Sequence, residues 1–114
     1  MKKWTIDYYD QAIQDWVANL PVGLRATYAR LSSLMVEYGI DLRLPYSRAL
    51  GDGLFELRLK GKEGIARIFY CTLIGKRIVI LHGFIKKTQE IPKIVLEKAI
   101  RRMREVKHES KTET

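Results

Sequence analysis

Hydrophobic and charged side chains alternate most regularly between residues 54 and 88, where LFELRLKGKEGIARIFYCTLIGKRIVILHGFIKKT predicts three strands joined by two tight turns. Phe55, Leu57 and Leu59 face one way and Glu56, Arg58 and Lys60 the other, the period of a strand with one buried face. Gly61-Lys62-Glu63-Gly64 reverses the chain into residues 65–73, rich in β-branched and aromatic side chains. Gly75-Lys76 turns it again into Ile78-Val79-Ile80-Leu81, apolar on both faces as an interior strand is.

The rest of the chain predicts elements that cover this meander. Residues 3–8 alternate weakly and predict a first strand. Asp10 is placed to cap a helix in which Ile13, Trp16, Val17 and Leu20 form one apolar stripe, and Pro21 stops it. A second helix from about Val22 carries Leu24, Tyr28, Leu31, Leu34, Met35 and Tyr38, and Gly39 is suited to end it in a left-handed turn. Two helices joined around Pro21 predict an antiparallel hairpin, with its aromatic and Met positions in the core. Residues 40–53 read as irregular, with a short edge strand near 46–50. Beyond the meander, Thr88 can cap a helix with Pro92 in its first turn and Leu96, Ala99, Ile100 and Met103 on its buried side. Lys93, Lys98, Arg101, Arg102 and Arg104 then face outward or lie at the margins. From about Lys107 the chain is polar and aperiodic, so residues 1–107 form a single domain and 108–114 a disordered tail. The fold class is α+β, a helical hairpin and a C-terminal helix packed on one face of a small antiparallel sheet.

Composition narrows the function. A chain of 114 residues, 46% apolar and 30% charged, is an ordinary size and mixture for one globular domain. No apolar run approaches the roughly 20 residues that span a bilayer. Asp7, Asp10 and Asp15 interrupt the place where the apolar core of a signal peptide would lie, so a cytoplasmic protein with no membrane partner is expected. Cys71 is the single cysteine, and with only His82 and His108 beside it neither a disulfide nor a structural zinc is expected, nor any other metal or cofactor. No exposed apolar heptad stands out, which predicts a monomer when free, although Trp4 and Trp16 could serve an interface. The net charge of +8 is uneven. Residues 1–53 hold six Lys/Arg and six Asp/Glu, whereas 54–107 hold fourteen and five, a balance of +9. A neutral half joined to a basic half points to a polyanion, most simply nucleic acid. A merely soluble basic surface, or a face for an acidic protein, is the plainer alternative.

If helices cover one face of the sheet, the other is free to carry Arg58, Arg67, Tyr70, His82, Lys86 and Lys87. Metal-free cleavage of RNA suits such a group. Attack by a ribose 2′-hydroxyl on its own phosphate needs cations for the transition-state charge, one proton acceptor and one donor. Arginine matches phosphate oxygens and stays charged, and a His, a Tyr or a Lys of lowered pKa among other cations could serve as acid or base, with His82 and the 86–87 lysines among the candidates. Lys60, Lys62, Lys76 and Arg77 would extend the basic surface for RNA. Ordinary readings compete. Lys86-Lys87 could be solvated charge, His82 a core or turn histidine, and Arg58 a partner of Glu56 or Glu63. Arg67, inside an apolar strand, is costly unless paired or used. Were these cations scattered, or locked to acidic neighbours, the nuclease reading would lose its footing.

Gly53-Leu54-Phe55-Glu56-Leu57-Arg58, then Ala66-Arg67-Ile68-Phe69-Tyr70, then Leu81-His82-Gly83-Phe84-Ile85-Lys86-Lys87-Thr88 resemble, in order and spacing, the HigB branch of the RelE toxin superfamily, the phage-derived host-inhibition type. The resemblance implies a RelE-like microbial-ribonuclease fold and a type II toxin that cleaves messenger RNA, in many relatives on the ribosome. It also implies inhibition by a cognate helix-turn-helix antitoxin. Carried over by position, Arg58 contacts the substrate backbone, Arg67 stabilises the transition-state phosphate, and Lys86 or Lys87 is the basic position after the last strand. Tyr70 and His82 match positions whose roles differ between members. Glu56 stands where RelE has a lysine, and RelE's C-terminal tyrosine has no equivalent after Arg104. Two readings from other classes remain: a non-catalytic RNA- or ribosome-binding module, and a domain whose basic face meets only an antitoxin or phage protein.

Overall fold

Thr5–Tyr8 forms strand β1, and the chain then enters helix α1, Gln11–Ala18, through Asp10, whose carboxylate accepts the Ile13 N–H at 2.9 Å. The computed structural model describes residues 3–86 and 90–112. After a three-residue link comes α2, Val22–Tyr38. Pro21 precedes it and offers no side-chain cap. Instead the Glu63 carboxylate, forty residues on, accepts from Gly23 N (2.8 Å) and Leu24 N (3.1 Å). These bonds to the helix N-terminus hold the Glu63 carboxyl below its ordinary pKa. Gly39 ends α2 with a positive φ of 52° but a ψ of −121°, outside the left-handed helical basin the sequence predicts. Trp4 is the reason: a Cβ on Gly39 would lie 2.0 Å from the indole. A 3-10 turn, Gly39–Asp41, leads to strand β2, Ser47–Gly51.

The predicted meander follows as β3, Leu54–Gly61, β4, Gly64–Leu73, and β5, Arg77–Lys86. The sheet order is β1-β5-β4-β3-β2. β2 through β5 are antiparallel neighbours, but β1 pairs parallel with β5, Ile6 opposite Ile78. The sheet is therefore mixed rather than antiparallel, because β1 and β5 are far apart in sequence and enter from the same end. β5 is flanked on both sides, as its doubly apolar run requires.

Helices cover both faces, not one. Ile13, Val17, Leu24, Leu31 and Met35 of α1 and α2 pack with Leu57, Leu59, Ile68, Tyr70, Ile78 and Ile80. Trp4 and Trp16 are half-buried against this core rather than displayed for an interface. The third helix, α3, Lys93–Thr112, lies on the opposite face, where Ala99 and Met103 meet Leu54, Phe69, Cys71, Val79 and Leu81. α3 starts behind Pro92, whose carbonyl accepts from Val95 and Leu96. Thr88, the predicted cap, lies outside the described residues. The helix also continues past Lys107 to Thr112, since Lys and Glu propagate a helix at little cost once it is nucleated. No helix among the described residues is long and apolar enough to cross a membrane.

One irregularity shapes the α3 face. Register shifts between Phe69 and Tyr70, which pair with His82 and Ile80, so Leu81 is the extra residue of a bulge. The Leu81 carbonyl accepts Arg102 Nη1 at 2.8 Å, and the same guanidinium lies 4.4 Å over the Tyr9 ring. Arg102 thus fastens α3 to the sheet rather than facing solvent.

Candidate anion site on the sheet

α3 covers one half of its face. The other half carries the side chains that alternate away from Leu57 and Leu59 on β3. Register places Arg58 opposite Arg67, Lys60 opposite Ile65, and Lys86 opposite Ile65 from the other side. Two arginines directly opposed on neighbouring strands repel one another. Glu56, opposite Arg48 on β2, supplies the compensating charge. One carboxylate oxygen accepts Arg67 Nη1 at 2.9 Å and the other accepts Arg48 Nε at 3.1 Å. Glu56 and Arg67 are almost fully buried, 3% and 5% exposed. Arg48, Glu56, Arg58 and Arg67 together line an open depression of about 280 Å³ whose rim includes Pro45 and Tyr46.

Lys86 is buried beside this group. Its pKa is drawn below the ordinary lysine value by burial first and then by the Arg67 and Arg58 charges, with Glu56 acting in the opposite sense. Three arginines and one lysine therefore share one carboxylate, a balance of +3. Arg58 Nε is buried with no hydrogen-bond partner among the described residues. Such a depression is suited to an anion with several acceptor oxygens.

The predicted site residues divide accordingly. Arg58, Arg67 and Lys86 come together, but Arg67 is ion-paired, the ordinary outcome foreseen for an arginine inside an apolar strand. Glu63 is no partner of Arg58, being committed to α2. Tyr70 lies on the opposite face, fully buried, stacked on Phe55 at 5.4 Å and hydrogen-bonded to Ser47 Oγ. Burial raises its phenol pKa. Its spacing of three from Arg67 along one strand already sends the two side chains to opposite sides. His82 lies in the half that α3 covers, opposite Phe69. Burial, then Arg102 and Lys98, lower its pKa to about 4, so it is neutral near pH 7. Its Nδ1 is buried without a partner among the described residues. Lys87 lies outside the described residues. Lys60 and Lys62 are exposed at the end of the sheet that holds the cluster. Lys76 and Arg77 are at the other end, roughly 30 Å away along β4 at the usual strand rise, with Arg77 3.6 Å from Asp7. The four thus lie as two pairs at opposite ends of the sheet.

Glu56 and Arg48 are the members of the site that the sequence analysis did not place there. Glu56 shares the parity of Arg58, which was a readable signal. Arg48 was hidden because its register on an edge strand depends on a bulge between Ala49 and Gly51. Among the described residues no three His, Cys, Asp or Glu side chains gather in metal-binding geometry.

A family sequence model described as "Phage derived protein Gp49-like (DUF891)" matches residues 15–104, a span that includes Arg48, Glu56, Arg58, Arg67, His82 and Lys86. No curated protein matches the chain.

Removing the shared carboxylate leaves Arg67 buried without its counter-ion, so Glu56→Ala is expected to lower the unfolding free energy by about 3 kcal/mol or more. Arg48→Ala, at the exposed side of the triad, is expected to cost about 1 kcal/mol or less. Urea denaturation decides it, and equal small losses would contradict the assigned roles. His82 generates a pH test. A neutral folded histidine with a pKa of about 4, against 6.5 when unfolded, leaves stability intact above pH 6.5 and removes it as pH falls toward 4. His82→Gln is expected to flatten that part of the stability–pH curve. An unchanged slope in the variant would contradict the assignment.

Proposed function

The chain belongs to the Gp49-like family of phage-derived proteins, which the match covers over most of its length, and from that membership and the basic cluster we propose that it is a toxin of the RelE/HigB type: a metal-independent endoribonuclease that cuts messenger RNA. The observation that carries the reading is the convergence of Arg58 and Arg67 on one depression with the Glu56 carboxylate, with Lys86 buried beside them. An α+β domain with a five-stranded sheet is consistent with the RelE-like fold.

In this reading a phosphodiester of single-stranded RNA enters the depression. Arg58, whose Nε is buried without a partner among the described residues, and Arg67, held in place by Glu56, contact the non-bridging oxygens and stabilise the charge that builds there. Glu56 is the acceptor for the 2′-hydroxyl proton. As that proton leaves, the O2′–P bond forms and the P–O5′ bond breaks. Lys86, made more acidic by burial and by its arginine neighbours, gives a proton to the departing O5′. The products are a 2′,3′-cyclic phosphate and a 5′-hydroxyl, and Glu56 and Lys86 exchange protons with solvent before the next turn. His82 is set aside as acid or base because it is neutral and under α3. A ribosome-bound message as substrate, a cognate helix-turn-helix antitoxin as inhibitor and a cytoplasmic setting belong to the same proposal.

The engagement of Arg67 by Glu56 favours one alternative, a non-catalytic RNA- or ribosome-binding module. Brief expression followed by mapping of 5′ ends on cellular messages separates the two. Wild type is expected to arrest growth and leave new 5′ ends, and Arg58→Gln to cut about 100-fold less or weaker still while folding normally. Arg58→Gln is preferred to Arg67→Ala because it leaves the buried ion pairs intact. Equal arrest and identical cut sites in both would contradict the role of Arg58. Salt-sensitive RNA binding without cleavage by wild type would establish the binding module instead.

A further inference from the structure

The depression that holds Glu56 and Arg67 does not end at Arg58. Pro45, Tyr46 and Arg58 also line a smaller recess of about 130 Å³, bounded on its far side by Arg30 and Leu31 of α2 and by Lys60. The two hollows share these walls and so lie side by side at Arg58 of β3. The backbone couples them as well, because Arg58 N–H donates to the Tyr46 carbonyl at 2.9 Å. Anything bound at Arg58 therefore has Tyr46 as its fixed neighbour.

The lining of the recess is specific in kind. The Arg30 guanidinium carbon lies over the Tyr46 ring, 5.9 Å from its centroid, so the two flat groups form a cation–π pair at the wall of the recess. Arg30 is exposed and Tyr46 half-buried. The Thr27 hydroxyl beside them is already engaged with the carbonyls of Gly23 (3.1 Å) and Lys60 (2.8 Å). Recognition in this space therefore falls to an aromatic face, a guanidinium plane and two cations. Unpaired bases of single-stranded RNA settle on such surfaces, and stacking tolerates any base because every base has a π-face. The volume suits one flat ring system and not a run of nucleotides.

We propose that this recess is a nucleobase subsite, where the base of the nucleotide adjoining the phosphate at Arg58 and Arg67 lies against Tyr46 and Arg30. It rests on the ribonuclease reading for what the neighbouring depression holds, and it makes the substrate single-stranded at that position. Tyr46 is here a binding residue and takes no part in the proton transfers.

The test measures binding and cleavage separately. The binding probe is a fluorescent 2′-O-methyl oligonucleotide, which lacks the attacking hydroxyl, together with a series carrying one abasic position each. Tyr46→Leu keeps apolar packing against the core and removes the flat ring, Tyr46→Phe keeps the ring, and thermal melts confirm that both fold. Tyr46→Leu is expected to weaken the fully base-bearing probe roughly 5- to 100-fold, the worth of one stacked base, and Tyr46→Phe to bind close to wild type. On the abasic probe that wild type binds most weakly, Tyr46→Leu is expected to have no further effect. Wild-type affinity of Tyr46→Leu for the base-bearing probe, or an equal loss on every abasic probe, would overturn the subsite. Cleavage of the unmodified RNA is scored apart. A wild type that shows the stacking signature but never cuts retains the subsite and defeats the ribonuclease reading, whereas cutting with no dependence of binding on Tyr46 overturns the subsite alone.

Discussion

The Glu56 carboxylate, shared between Arg67 and Arg48, is the contact on which the rest of the site depends. Arg58 and Arg67 sit directly opposite one another on β3 and β4, which places their Cβ atoms about 5 Å apart. Two like charges at roughly 4 Å repel by about 4 kcal/mol at the effective dielectric of a protein surface. Glu56 offsets one such term and leaves the others. The result is a stable sheet whose surface still carries a balance of +3. An entirely neutralised cluster would fold as well and would have no reason to attract an anion. A cluster without Glu56 would leave a buried guanidinium uncompensated, which proteins seldom tolerate.

α3 determines where that charge is accessible. By covering Leu54, Phe69, Cys71, Val79 and Leu81 it turns half of the face into a second core. Its position is fixed by Arg102, which meets the bulge carbonyl of Leu81 and the ring of Tyr9. His82 is carried into that covered half, next to the cations of α3, and is uncharged near neutral pH. On the other half Arg48, Arg58 and the largely buried Arg67 line a depression open to solvent, which borders at Tyr46 the recess that reaches α2. One sheet face thus provides both a hydrophobic anchor and a polar depression, divided along the strands.

Much of this was legible in the sequence. The period of two in Phe55–Lys60, the doubly apolar Ile78–Leu81 and the stripe of Ile13, Val17 and Leu20 correspond to elements of the fold, because side-chain parity and helical spacing follow from local geometry. What sequence alone left open depends on pairing between distant segments. Nothing local distinguishes a β1 that runs parallel to β5 from an antiparallel one. The bulge at Leu81 turns His82 under α3, and no residue type announces it. Tyr70 is different: its odd spacing from Arg67 in one strand already sends it to the other face of the sheet. Glu56 departs from the lysine that the resemblance implies at its place, and in three dimensions it is the anion that lets Arg67 be buried.

In the proposed function, the cations gathered around Glu56 serve transfer of a phosphodiester to its own 2′-oxygen. The most direct measurement is the chemistry of the ends produced when purified protein meets a defined single-stranded RNA, with ribosomes supplied and withheld, in the presence of a chelator. Fragments ending in a 2′,3′-cyclic phosphate and beginning with a 5′-hydroxyl are the predicted result. Fragments with 3′-hydroxyl and 5′-phosphate ends, or RNA that is bound and never cut in either condition, would contradict it.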